Sequence, residues 1–197
     1  MFLKRLTTAF SMTAREFLRR RGMLMLMVAI PVFSFASVYG ALPDTAATME
    51  AVENGVKVTV DTDQVALFGG VSALIYAALL AGITGFYVMS SATKTDRRLI
   101  LAGFSPFELV TARCLVLLLL DAGITALMVV IMLFFFTPKQ FFPYVLAMFW
   151  GAMIYGFYGG LLATVLRSEL GGLLAISFLA NMDVGYLELP GYSNVIG

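Results

Sequence analysis

The chain of 197 residues is too apolar for an ordinary soluble domain. Hydrophobic residues make up 60% of it and charged residues 13%, against roughly 45–50% and roughly 25% in soluble proteins. Its net charge of +1 provides no strongly basic face, which a nucleic-acid partner would require. The composition therefore indicates membrane lipid as the surrounding medium and excludes nucleic acid as a partner.

The chemistry available to the chain is narrow, because it has one cysteine, Cys114, and no histidine. An intrachain disulfide and any histidine-based metal site or acid–base catalyst are excluded within this chain. The sequence also lacks a G-x-x-x-x-G-K-[ST] phosphate loop, a G-x-S-x-G nucleophile elbow and an H-E-x-x-H motif. We therefore expect a non-catalytic subunit that binds no metal and no cofactor of its own.

Residues 1–22 form the first element, a predicted amphipathic helix. Leu3, Phe10 and Phe17 fall on one side of the helix, and Lys4 and Arg15 fall largely on the other. Such a helix lies in the membrane surface. It either serves as a simple basic anchor that orients the next helix or docks specifically onto another part of the protein.

Residues 23–183 form the predicted transmembrane domain, because long stretches of this region carry no charge. A membrane-spanning helix needs about 20 apolar residues. The predicted spans cover about 23–41, 65–90, 106–136, 144–166 and 170–183. The fifth is short, so it either crosses a thinned region, spans the bilayer at minimal length without tilt, or forms a partial or broken helix. The predicted fold is an all-α polytopic helix bundle with five spans, an N-terminal amphipathic interfacial helix and a re-entrant or incomplete C-terminal segment, 184–197.

The basic residues predict the orientation of these spans. With a cytoplasmic N-terminus, only Lys57 and Lys139 of the 13 Lys and Arg residues fall outside. This is a strong positive-inside bias. The loop at 42–64 is then external, and within it Asn54-Gly55 followed by the alternating segment Val56–Val60 predicts a small β-hairpin. We expect a multi-pass protein of the inner (plasma) membrane.

The loop at 91–105 is cytoplasmic in this arrangement and contains a short predicted helix, Asp96–Ala102. Thr95 can cap its start, and Gly103 is the residue type that ends helices. The short helix either floats on the lipid headgroups or inserts into a partner protein. The third span then begins with the N-cap, proline and acid of a capping box, Ser105, Pro106 and Glu108.

Two of the predicted spans carry stripes of small residues at every fourth position. Such stripes let another helix approach closely. The partner helix belongs either to the same chain or to a second copy. The candidate packing residues are Gly69, Ala73, Ala77, Ala81 and Gly85 in the second span, and Ala152, Gly156 and Gly160 in the fourth.

Asp121 is the one acid deep inside a predicted span. A charge at mid-bilayer costs on the order of 3 kcal/mol on insertion scales. The side chain is therefore expected to face protein or water. It is either a polar point on a substrate path or an internal hydrogen-bond partner for Tyr or Ser on a neighbouring helix.

The segments FLKRLTTAFSMTAREFLRRRG and TKTDRRLILAGFSPFELVTARCL, with the external loop and the small-residue span between them, resemble the membrane permease of type-2 ATP-binding cassette (ABC) exporters. In that family the cytoplasmic loop carries an acid, basic residues, a turn and then a basic residue at the start of the next span. The corresponding positions here are Asp96, Arg97, Arg98, Gly103 and Arg113. The family usually has six spans, and the tail is similar to the start of its outer re-entrant hairpin, so the sequence is either incomplete or shortened.

The resemblance implies a permease subunit of an ATP-driven exporter that moves an amphipathic or lipid-like substrate. It implies a second permease copy or homologous permease as partner, and a separate P-loop ATPase subunit that binds ATP and Mg. The implied ATPase-coupling residues are Asp96, Arg97, Arg98, Leu99, Ile100 and Leu101. Two other functions compete with this one: a non-transporting structural or assembly subunit, and an intramembrane enzyme that uses Asp121, for which a second buried catalytic group is missing.

Overall fold

The computed structural model describes residues 2–19, 21–41, 46–53, 56–91, 99–101, 103–138, 140–166 and 168–185. Six long helices and one hairpin make up this part of the chain. In order, the elements are α1 (Phe2–Arg19), α2 (Arg21–Ala41), β1 (Ala46–Glu53), β2 (Val56–Asp63), α3 (Gln64–Ser90), α4 (Pro106–Leu133), α5 (Phe141–Val165) and α6 (Glu169–Gly185). We call the end of the bundle that carries residues 91–105 the loop end, and the opposite end the hairpin end.

The predicted hairpin forms between α2 and α3. Strands β1 and β2 pair antiparallel from Ala46↔Asp63 to Glu53↔Val56. The hairpin is therefore confirmed for its two strands, and the predicted turn residues Asn54-Gly55 lie outside the described residues.

Three helices among the described residues are long and apolar enough to cross a membrane: Phe68–Ser90, Pro106–Leu133 and Phe141–Val165. They correspond to the second, third and fourth predicted spans. The N-terminal pair Thr7–Arg19 and Leu24–Ser37, bent by 59°, adds a fourth if it is counted as one span. The apolar part of α6, Leu170–Met182, is shorter. The protein is therefore membrane-embedded, while the separate first span and the fifth span remain predictions.

The core of the bundle lies where α3 meets α4 and α5. Its buried members include four alanines, which let the helices approach closely, and four methionines, which fill irregular gaps, beside larger aliphatic and aromatic side chains. Phe86 and Leu117 are among the largest fully buried side chains. At the hairpin end, the Tyr144 hydroxyl donates a hydrogen bond to the Gly70 carbonyl, 2.6 Å away, which ties α5 to α3.

The amphipathic helix α1 packs onto the bundle at the loop end. Ala9 and Phe17 are buried, and Thr13 between them is half-buried. These residues repeat every fourth position, so they lie on one side of the helix. Arg15 and Arg19 are exposed. A face of α1 thus docks on protein, which is the second of the two roles considered for this helix.

Candidate functional site

A helical turn at residues 99–101, which we call the loop helix, ends the loop before α4. Gly103 has a φ of +87°. Its N–H donates to the Ile100 carbonyl at 2.9 Å, and the N–H of Phe104 donates to the Leu99 carbonyl at 3.0 Å. These two bonds form the Schellman pattern, which ends a helix with a left-handed glycine. The predicted helix end at Gly103 is confirmed.

The start of α4 follows directly. The Ser105 N–H donates to Oε2 of Glu108 at 3.0 Å, which is the acidic half of a capping box. Pro106 occupies the first turn, where a missing N–H costs nothing. Gly103, which ends the loop helix, and Ser105, which caps α4, are only two positions apart. The connection between the two helices is therefore short.

The loop helix is also held by side-chain packing against α1 and α4. Phe104 and Leu99 are the two residues that the Schellman pattern brings together, and both pack on the same apolar group. We call this group the junction cluster. Its buried members are Ala9, Leu109 and Ala112, and its half-buried members are Phe10, Leu99 and Phe104.

The three aliphatic residues of the loop helix differ in exposure. Leu99 is half-buried in the junction cluster. Ile100 is 45% exposed and Leu101 is 87% exposed. The sequence alone placed all three in one partner-binding set. The structure exposes the Ile100 and Leu101 side chains and gives Leu99 a contact within the chain.

A polar cavity of about 30 Å³ lies beside the junction cluster, with room for about one or two water molecules. Thr13 and Glu16 of α1, Ser91 after α3 and Arg113 of α4 line it together with apolar side chains. Arg113 is buried, so its charge is kept away from lipid. The junction therefore brings together α1, α3, α4 and the loop helix in one place.

The remaining coupling residues of the sequence analysis, Asp96, Arg97 and Arg98, lie outside the described residues. Their predicted role stays a prediction.

Asp121 lies inside the bundle, at the middle of α4. Its relative exposure is 0%, and neither carboxyl oxygen has a hydrogen-bond partner. The neighbouring Thr125 hydroxyl donates instead to the Asp121 backbone carbonyl, at 2.8 Å. The carboxyl group faces Gly156 of α5: a Cβ built on that glycine would lie 2.6 Å from Oδ2. A hydrogen bond to Tyr or Ser, one of the two roles considered, is absent from the described part of the chain.

The small-residue stripes pack within the chain. Ala73, Ala77, Ala81 and Ala152 are fully buried. A Cβ on Gly85 would collide with the carbonyl of Gly156. Most of both stripes thus lies at the contact between α3 and α5. Gly160 meets Met89 and Leu117, and Gly69 lies under the ring of Phe136.

Two glycines of this contact were missed by the sequence reasoning. A Cβ on Gly159 would collide with the carbonyl of Gly82. Each helix therefore contributes a pair of glycines three residues apart, Gly82 with Gly85 and Gly156 with Gly159. A search for glycines at both i+3 and i+4 spacing would have found them, because both positions share a helix face.

No group of three or more potential metal ligands occurs in the described ranges. No family model, no curated protein and no solved structure matches the chain. The function of the protein is therefore inferred from its own residues.

Proposed function

We propose that the chain is the transmembrane permease subunit of an ATP-driven exporter that moves an amphipathic or lipid-like substrate. Energy comes from a separate P-loop ATPase subunit, which binds ATP and Mg on the cytoplasmic side. A second permease copy or a homologous permease completes the transport unit. In this proposal the loop end is cytoplasmic, and the membrane is the inner (plasma) membrane.

One observation carries the proposal: the helical turn at 99–101 exposes two apolar side chains, Ile100 and Leu101, while its third, Leu99, packs on α1 and α4. Phe107, in the first turn of α4, is exposed as well. In the proposed orientation these side chains lie at the cytoplasmic end of the bundle, where an exposed apolar group is typical of a protein contact site.

The connections of the loop helix explain how a partner would move the membrane helices. The Gly103 and Ser105 caps join it to α4, and Leu99 joins it to α1 through the junction cluster. The end of α3 reaches the same place through Val88 and Ser91. Displacement of the loop helix would therefore shift α1, the end of α3 and the start of α4 together.

Leu101→Asp combined with Ile100→Asp tests the proposal. These changes place charges on the exposed side of the loop helix and leave the contacts of Leu99 intact. We expect the variant to fold and insert normally but to lose a co-purifying P-loop ATPase, identified by mass spectrometry and by ATP hydrolysis in the eluate. Leu170→Asp is the matched control, because Leu170 is 70% exposed in the first turn of α6, beside the other predicted cytoplasmic turn, and the variant should retain the ATPase.

Retention of the ATPase by the double variant at wild-type yield would show that the loop helix is not the contact. If the wild-type chain itself purifies with no ATPase, the structural or assembly subunit becomes the better explanation.

A further inference from the structure

Asp121 is a buried acid that the proposed ATPase coupling does not use. We propose that its carboxyl group is a proton-binding site in the membrane interior, closed by Gly156 and emptied when α4 and α5 move apart. The inference stands independently of the exporter proposal, because it concerns a single side chain and its immediate packing.

The surroundings of the Asp121 carboxyl oxygens favour a neutral group. Both are buried and without a hydrogen-bond partner, and the residue has no exposed surface. A carboxylate in this position would be a bare charge in an apolar interior, which proteins avoid by neutralising the group or pairing it. A bound proton neutralises it without any further ligand.

The space around the carboxyl group favours a proton over a larger ligand. A Cβ built on Gly156 would lie 2.6 Å from Oδ2 and 3.0 Å from Oδ1 of Asp121. The backbone of α5 therefore lies directly against the carboxyl group. A metal cation or a substrate amine needs several oxygen ligands or a cavity of its own. A proton adds almost no volume, so it is the ligand that fits the closed packing.

The helices around Asp121 carry few charged residues that could pair with a carboxylate. Neither α3 (Gln64–Ser90) nor α5 (Phe141–Val165) contains Asp, Glu, Lys or Arg, and their titratable side chains are tyrosines. The charged residues of α4 itself are Glu108 and Arg113 near its start. Helices α1 and α2 also contact α4, and their charged residues all lie at or before Arg21.

Arg113 is the basic residue nearest to Asp121 along α4. Asp121 lies eight positions after Arg113, which is about 12 Å along a helix. Leu117 lies between them on the same face and is fully buried. The arginine is therefore too far along the helix for a direct ion pair.

Release of the proton requires water. If α5 moves away from α4, water reaches the carboxyl group, accepts one proton and solvates the carboxylate that remains. Return of α5 against α4 requires the proton to bind again. The protonated form thus belongs to the closed packing, and the ionised form belongs to an open one.

Infrared spectroscopy of the purified full-length chain in lipid vesicles tests this directly, because it needs no reagent to enter the site. The wild-type chain at neutral pH should show the carbonyl stretch of a neutral carboxylic acid. The band should disappear in Asp121→Asn and persist in Glu108→Gln, the control for the other buried acid of α4. It should give way to a carboxylate band in strongly alkaline buffer.

Isotope labelling keeps the test decisive if Asp121→Asn does not fold. The wild-type chain grown with carbon-13 in the aspartate carboxyl group should show the neutral-acid band at a shifted frequency. A wild-type spectrum with no neutral aspartic acid at neutral pH would overturn the proposal. A neutral-acid band that vanishes on addition of sodium ions at constant pH would also overturn it, in favour of a cation site.

Discussion

Single residues decide how closely α3 and α5 approach. Gly82 and Gly85 lie against Gly159 and Gly156, and a Cβ at Gly85 or Gly159 would coincide with a carbonyl of the opposite helix. Glycine is required here because it has no side chain, so the backbones of the two helices can come into contact. Its usual cost in a helix, about 1 kcal/mol relative to alanine, is offset by the packing gained.

Gly159→Ala should accordingly destabilise the bundle by about 1–3 kcal/mol, the usual range for overpacking a tight core. Gly151→Ala is the matched control on the same helix, because a Cβ there meets nothing within 4 Å. The control should be neutral or stabilising by up to about 1 kcal/mol. Equilibrium unfolding in detergent measures both, and equal stabilities of the two variants would contradict the observed helix contact.

At the scale of elements, the loop helix depends on its glycine end. Residues other than glycine adopt the left-handed conformation of Gly103 only at a cost of roughly 1–2 kcal/mol. The two hydrogen bonds that follow from it are the ones that bring Phe104 back to Leu99. The conformation of this one residue therefore orients the exposed side chains of the loop helix.

Gly103→Ala should loosen the loop helix, and Gly103→Asn should do so less, because asparagine tolerates the left-handed region better. Amide hydrogen exchange is the appropriate measurement. Exchange should accelerate at the amides of Gly103 and Phe104. It should stay unchanged at Phe134, whose N–H caps the other end of α4 through the Ile131 carbonyl. Unchanged protection at Gly103 and Phe104 would mean that the glycine end is not what holds the turn.

At the scale of the whole molecule, the arrangement of the bundle in the membrane follows from charge. Only Lys57 and Lys139 of the 13 basic residues lie on the predicted outer side. Such an asymmetry sets the orientation of membrane proteins during insertion. The predicted orientation places the hairpin of β1 and β2 outside and the loop end with its junction cluster on the cytoplasmic side.

Cysteine labelling tests this orientation, because Cys114 is the single native cysteine and can be replaced by serine. Thr59→Cys in β2 should then react with a membrane-impermeant maleimide in intact cells. Leu170→Cys at the start of α6 should react only after permeabilisation. The reverse result would invert the proposed topology and place the loop helix away from ATP.

The sequence by itself determined the features that depend on near neighbours in the chain. Apolar length predicted the three described membrane helices, Asn54-Gly55 with the alternating segment after it predicted the β-hairpin, and Gly103 with Ser105 predicted the end of one helix and the start of the next. Each of these rests on local backbone preferences or on the thickness of the bilayer, which residues close in sequence satisfy by themselves.

Only the tertiary structure decided which side chains of these elements meet. It paired Gly159 with Gly82, placed Asp121 against Gly156, and packed Leu99 inward while leaving Leu101 exposed. These contacts depend on the rotation and the relative height of helices that are far apart in sequence. Many rotations bury equally apolar faces, because lipid and protein are similarly apolar around a membrane helix. Close backbone approach and the burial of one acid selected among them.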